Sequence, residues 1–215
     1  GLKKLEYRGY DSAGIAVVNG AQLQIRRASG KLRNLEEALR NHPCDGSFGI
    51  GHTRWATHGR PTEENAHPHR DCRGEVVVVH NGIIENYLAL KKSLIGEGHT
   101  FVTETDTEVI GHLVEKHFKG SLEEAVRAAI QEMTGIYAIV VLSAKDPNKI
   151  VAARLGPPVV IGFGQGETFV ASDIPAILAH TRDVAFLGDG EVAVLTAASV
   201  RMTDTQGAPI EPAVQ

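Results

Sequence analysis

Eleven short β-branched or alternating runs, broken by Gly, Pro, Asn and Asp, recur along this 215-residue chain, and they fall into two groups around a helical block. The first group is Ala13 to Val18, Gln22 to Ala28, Phe48 to Arg54 and Glu75 to His80. Asn19-Gly20 between the first two runs is a hairpin signal, because both residues tolerate the positive φ of a tight turn. Leu32, Leu35, Ala38 and Leu39 interrupt this group at helical spacing. The block that follows predicts helices over Asn86 to Ile95, Thr105 to Phe118 and Leu122 to Met133, with Thr105 and Glu108 spaced as a capping box. The second group is Ile136 to Ser143, Lys149 to Leu155, Val159 to Phe163, Thr168 to Ser172, Val184 to Leu187, Glu191 to Leu195 and Val200 to Thr203. A short helix is expected at Asp173-Ile174-Pro175, with Pro in its first turn. So many short strands with a helical block between them fit an α+β chain with two stacked antiparallel sheets flanked by helices.

Composition excludes several classes. Hydrophobic residues make up 42%, which rules out intrinsic disorder. The net charge of −4 carries no basic excess, so neither nucleic acid nor an anionic membrane surface is an expected partner. No apolar run approaches the roughly 18 residues of a membrane span. The first residues, GLKKLEYRGYDS, contain no signal-peptide core, so a cytoplasmic setting is expected. Two cysteines, Cys44 and Cys72, are too few for a disulfide framework in a chain this long.

Five clusters could carry chemistry, and each has a plain structural alternative. Leu5 to Gly14 (LEYRGYDSAG) reads as a helix C-cap at Gly9 followed by an Asx turn at Asp11. Gly51 to Gly59 (GHTRWATHG) follows an apolar strand and holds the only Trp beside an Arg and two His. Its Arg54 could grip a carboxylate through two parallel hydrogen bonds, or the loop could simply be solvated with Trp55 against the core. His67, His69 and Cys72 have the residue types of a metal hook, with His52 or His58 as a fourth ligand. Zinc sites usually come as paired hooks and only one is present, so these read as loop histidines and no metal is expected. Asn81-Gly82 reads as a turn, or as an amide and a peptide N–H that together stabilise an oxyanion. Thr103 to Glu108 (TETDTE) reads as helix capping, or places Asp106 to receive an ammonium group.

In combination, LEYRGYDSAG, HTRWATHG, NAHPH, HNGIIENY and TETDTEVI, with AARLGPPVVIG and FVASD further on, resemble the glutaminase domain of the glutamine–fructose-6-phosphate aminotransferase (isomerising) family. The resemblance covers nearly the whole chain as a single class II glutamine amidotransferase domain. It implies a four-layer αββα N-terminal-nucleophile sandwich. It also implies hydrolysis of the glutamine side-chain amide to glutamate and ammonia, with no cofactor. The ammonia would pass to a sugar-phosphate isomerase domain of the same parent chain, which makes glucosamine 6-phosphate from fructose 6-phosphate, and the parent is expected to be a homo-oligomer.

Residue by residue, the resemblance implies that Arg54 binds the glutamine α-carboxylate and Asp106 its α-ammonium. Asn81, through its side-chain amide, and Gly82, through its backbone N–H, would form the oxyanion hole. Thr57, His58 and Gly59 would line the glutamine pocket, Trp55 would help close over it, and Arg8 and Gly9 would hold the nucleophile's end. The family's nucleophile is a cysteine at the processed N-terminus, activated by its own α-amine. That position would precede Gly1, so the chain is expected to be an N-terminally truncated domain without its catalytic thiol, with the isomerase domains absent. Two other readings remain: the glutaminase module of another amidotransferase or of a sugar-amine deglycase, and a non-catalytic amino-acid-binding module.

Overall fold

The computed structural model describes residues 1–55 and 59–215. Its centre is a seven-stranded antiparallel sheet. The strands are β4 (His69–Arg70), β5 (Val76–Ile84), β6 (Gly135–Ser143), β7 (Ile150–Leu155), β11 (Glu191–Leu195), β12 (Val200–Asp204) and β13 (Pro209–Ile210), in the order β13-β12-β11-β7-β6-β5-β4. Side chains alternate across each strand, and here both faces are buried. Val76, Val78, Tyr137, Ile139, Val141, Val151, Ala153, Val192 and Val194 face one way and pack under three helices. These are α3 (Tyr87–Gly96), α4 (Glu108–His117) and α5 (Leu122–Glu132). Ile110, Leu113, Leu122 and Ile139 are fully buried in this layer. Each contributes about 1.5–3 kcal/mol relative to exposure, far more than any cap or surface ion pair in the layer.

The opposite face meets a second β layer divided in two. One half is β1 (Ser12–Asn19) between β2 (Gln22–Ser29) and β3 (Phe48–Arg54). Its Ala16, Val18 and Ile50 pack on Val77, Val79 and Leu142. The other half is β8 (Val160–Phe163) between β9 (Thr168–Ala171) and β10 (Val184–Phe186). Its Ile161 packs on Ala138, Ala152 and Ala193, whose small side chains leave room for it. Outside the first half, α1 (Leu2–Leu5) and α2 (Leu32–Asn41) bury Leu32 and Leu35 against Ala13. Outside the second, a 3-10 turn at Ile174–Ala176 covers Val160 and Val184. The architecture is the expected αββα sandwich of stacked antiparallel sheets, with its second β layer open along the middle. Among the described residues no helix is long and apolar enough to cross a membrane.

The Asn19-Gly20 hairpin forms as expected, with Asn19 opposite Gln22 and Gly20 at φ 58°. Two expectations fail. Asn81-Gly82 does not end its strand: β5 continues to Ile84, with Asn81 opposite Ala138 and Gly82 opposite Tyr137. Nine consecutive pairings with β6 outweigh the turn preference of one dipeptide. The capping box at Thr105 and Glu108 does not form either. The helix starts at Glu108 with Thr107 as its N-cap, and no side-chain cap bond is made.

Candidate active site

The opening in the second β layer is a cavity of about 740 Å³. The ends of β3 and β5, the segment before α4, β9 and the N-terminal helical turns all reach it. Strand parity decides which side chains face in. On β5, Val77 and Val79 point toward the second β layer, and Asn81 continues their row. The open seam therefore places Asn81 at the cavity wall instead of in the core.

Asn81 is oriented from behind. His52 Nε2 lies 2.9 Å from Asn81 Oδ1. An amide oxygen can only accept, so the ring proton sits on Nε2 and the Nδ2 amide hydrogens of Asn81 remain for the cavity. Burial pushes the His52 pKa down from 6.5 to about 4, against the raising effect of its bond to Asn81, so the ring is neutral near pH 7. Gly82 sits at φ +133°. A side chain there would also meet the Ile136 carbonyl oxygen at 2.1 Å, so the position requires glycine on both counts.

Arg54 and Asp106 are each only 4% exposed, and both line this cavity. Burial lowers the Arg54 pKa from its ordinary value, while Asp11 and Asp106 raise it. Arg54 Nη1 donates to the Arg60 carbonyl at 3.2 Å and Nη2 to the Gly59 carbonyl at 3.4 Å. Asp106 Oδ2 accepts the Ile84 N–H at 2.9 Å, which ties it to the end of β5.

The segment that carries Asp106 is anchored by Glu108. Its carboxylate accepts the N–H of Val102 and of Thr103 at 2.8 Å each, and the Thr103 hydroxyl at 2.7 Å. Burial works against ionisation here, but His112 and these donors outweigh it and hold the Glu108 pKa down at about 2. That arrangement explains the missing cap: Glu108 turns back to its own loop.

Of the other residues singled out from sequence, Arg8 and Trp55 also line the cavity. Arg8 pairs with Asp173 at 3.6 Å, and Trp55 is 59% exposed with its ring edge on Tyr10 at 5.5 Å between centroids. Gly9 lies beside β3, where an added Cβ would meet the Thr53 carbonyl oxygen at 2.8 Å. Gly59 contributes its carbonyl to Arg54. Thr57 and His58 lie outside the described residues.

Sequence reasoning missed three supports. His52 appeared only as a metal candidate. Asn65 and Glu104 form a reciprocal pair, with Asn65 Nδ2 donating to Glu104 Oε2 at 3.0 Å and Glu104 N–H donating to Asn65 Oδ1 at 2.9 Å. This pair joins the loop after β3 to the Asp106 segment. Both residues stood in quoted motifs, NAHPH and TETDTE, but nothing in either run shows that they meet.

Among the described residues Cys72 does not join His67 and His69 in one cluster. His67 stacks on His52 at 4.2 Å between centroids and sits 4.6 Å from His69; His67 and His69 are buried, and His52 and His67 line the cavity. Burial lowers His67 well below the usual histidine value and takes His69 to about 3. Cys72 lies past the end of β4, away from them, and neither it nor Cys44 lines the cavity.

A family model described as "Glutamine amidotransferase domain" matches residues 13–206. The glutamine–fructose-6-phosphate aminotransferase [isomerizing] of Clostridium tetani is 50% identical over 211 residues, 98% of this chain and 35% of that protein. An enzyme of the same name from Thermus thermophilus is 53% identical over the same share of each. This chain thus spans about a third of the length of those relatives. Among solved structures, the glutamine phosphoribosylpyrophosphate amidotransferase of B. subtilis superposes with a TM-score of 0.79 at 25% identity, covering 95% of this chain and 45% of that one. An allosteric regulatory enzyme of purine biosynthesis gives 0.80 at 25% identity, with the same coverage.

Proposed function

The chain belongs to the glutamine amidotransferase domain family, and on that premise we propose that it is the glutamine-hydrolysing part of a glutamine–fructose-6-phosphate aminotransferase. The observation that carries this reading is one cavity holding a buried cation, a buried anion and an oriented amide donor: Arg54, Asp106 and Asn81. A free amino acid is a zwitterion. Arg54 takes the α-carboxylate through its planar fork, and Asp106 takes the α-ammonium. The glutamine side chain then runs toward β5, where its amide meets Asn81 and Gly82.

Hydrolysis needs a nucleophile, and neither Cys44 nor Cys72 lines the cavity. The reading assigns this role to an N-terminal cysteine of the parent protein, outside these 215 residues. Its α-amine, with an ordinary pKa of about 7.7–8.0, accepts the thiol proton. The sulfur attacks the amide carbon, and the carbonyl oxygen becomes an oxyanion facing Asn81 Nδ2 and the Gly82 N–H. Collapse breaks the C–N bond and expels ammonia as the nitrogen takes back the proton. Water then cleaves the γ-glutamyl thioester to glutamate. Ammonia passes to a fused sugar-phosphate domain; the reading gives Thr57, His58 and Gly59 to the lining of the pocket and Trp55 to its closure. Arg8 and Gly9 hold the end where the nucleophile sits.

Ammonia release from glutamine tests the reading. The 215-residue chain should stay at background, and the parent protein with its N-terminal cysteine should turn over. Turnover by the 215-residue chain that survives replacement of both Cys44 and Cys72 by Ser would overturn the assignment of the nucleophile.

A further inference from the structure

Cys72, His99, His112 and Glu115 converge at one edge of the molecule, and none of them lines the cavity. Cys72 lies in the turn between β4 and β5, and His99 in the loop between α3 and α4. His112 and Glu115 stand three apart on α4, so helical geometry puts them on one face. The four donor atoms all lie within 4.8 Å of one another. Cys72 Sγ is 3.4 Å from His112 Nδ1 and 3.6 Å from His99 Nδ1. Glu115 Oε2 is 3.0 Å from His99 Nδ1 and 3.4 Å from His112 Nδ1.

Three of these four separations are those of a tetrahedron's edges around a small cation, and the His99–Glu115 separation of 3.0 Å is a few tenths shorter. Zinc–sulfur bonds of about 2.3 Å and zinc–nitrogen or zinc–oxygen bonds of about 2.0–2.1 Å at tetrahedral angles give edges of roughly 3.3–3.6 Å. The surroundings agree. The Thr100 N–H donates to Cys72 Sγ at 3.3 Å, which orients the sulfur. The Cys72 N–H donates to Glu115 Oε2 at 3.3 Å, which holds that carboxylate in place. Behind the ring, His112 Nε2 is buried without a hydrogen bond and lies 3.7 Å from Glu108 Oε1, the place of an outer-shell carboxylate behind a metal-bound imidazole. Cys72 is exposed, so an ion can enter from solvent.

We propose that Cys72, His99, His112 and Glu115 form a structural zinc site. A thiolate with two imidazoles and one carboxylate suits Zn²⁺ and not Mg²⁺ or Ca²⁺, and four protein ligands leave no open position for catalysis. The ion fastens the β4–β5 turn and the α3–α4 loop to the middle of α4. The N-terminal end of α4, at Glu108, follows directly on the segment that carries Asp106, so the site braces that segment from its far side.

The test is metal content and cobalt spectroscopy on the purified protein. After loading with Zn²⁺ and desalting, one zinc ion per chain should remain. Co²⁺ in its place should show the visible bands of a tetrahedral site and a thiolate-to-cobalt charge-transfer band. Cys72→Ser should abolish that band and weaken zinc binding by roughly 100-fold or more, at or beyond the upper end of the range typical for loss of an outer-shell partner. Cys44→Ser should change neither. His99→Ala, at a partly exposed loop position, gives a second ligand variant if Cys72→Ser folds poorly, and it should weaken zinc binding similarly. A chelator should lower the Tm of the unmodified protein, and added zinc should restore it. Less than one retained zinc ion, a cobalt spectrum without the thiolate band, undiminished zinc binding by Cys72→Ser, or a Tm indifferent to chelator would overturn the proposal.

Discussion

Two histidine clusters meet at opposite ends of one six-residue run, His67 to Cys72, and their chemistry is opposite. At the cavity wall and behind it, His67, His69 and His80 are buried and His52 is half-buried, and their hydrogen-bond partners are neutral groups: Asn81, the hydroxyls of Thr105 and Thr107, and a backbone N–H. Burial lowers the pKa of all four. At the rim, His99 and His112 face a thiol and a carboxylate beside an exposed cysteine. Histidine type alone therefore says little about role. A dry neutral ring is a rigid hydrogen-bond donor that orients other side chains, whereas a ring beside anionic ligands is a place for a cation.

If the clusters are separate devices, changes in one leave the other intact. The largest effect is expected from Asn81→Ala in the parent enzyme. Loss of an oxyanion donor should lower kcat about 100- to 1000-fold, or about 2.7–4 kcal/mol, with a smaller change in KM and unchanged zinc content. Steady-state kinetics with a thermal melt check it; a large fall in Tm with near-normal kcat would return Asn81 to a purely structural part. Next is Arg54→Lys, which keeps the charge and loses the planar fork. Losing a charge-assisted bond of about 1.5–3 kcal/mol should cost roughly 10- to 150-fold in kcat/KM for glutamine. An unchanged value would remove Arg54 from carboxylate binding.

Acid should act on the buried cluster. Unfolded histidine titrates near 6.5, whereas folded His52 titrates at about 4 and His69 at about 3. Between those values the unfolded chain binds more protons, so stability is full above pH 6.5 and falls as pH drops through the folded values. The slope is about 1.4 kcal/mol per pH unit for each such ring. Urea unfolding across this range measures it, and a flat profile would contradict the dry-cluster description. Cys72→Ser should show the same slope as the parent. The smallest effect is expected from His52→Leu, which removes the bond that orients Asn81. At about 0.5–1.5 kcal/mol, this predicts a 2- to 12-fold lower kcat with KM little moved. A change confined to KM would mean that His52 shapes the pocket and not the amide.

Much of the architecture was legible in the chain, because burial on both faces of β5, β6, β7 and β11 produces long apolar runs that few folds accommodate. The Asn19-Gly20 hairpin was legible because it is local. Asn81-Gly82 looked equally local and was not: the partner strand across from it begins more than fifty residues later, and pairing with it carries β5 through the dipeptide. Glu108 misled for a related reason, since a carboxylate at a helix start can serve the loop behind it as well as the turn ahead. The rim cluster was invisible because His99, His112 and Glu115 show no ligand spacing with Cys72 along the chain. Only the packing of α4 against the β4–β5 turn makes them neighbours.

The backward-turned Glu108 has a consequence for anyone designing glutamine mimics against this pocket. On the proposed reading, the ammonium end of such a molecule would meet an anion cast in place, since Asp106 is clamped by β5 and its segment is locked by Glu108. The carboxylate end would meet Arg54, which also donates to the carbonyls of Gly59 and Arg60 and so shares its grip with that backbone. Chemists should then find the amine unforgiving of displacement, and should find replacements for the carboxylate tolerated where they still meet Arg54 beside the Gly59 and Arg60 carbonyls.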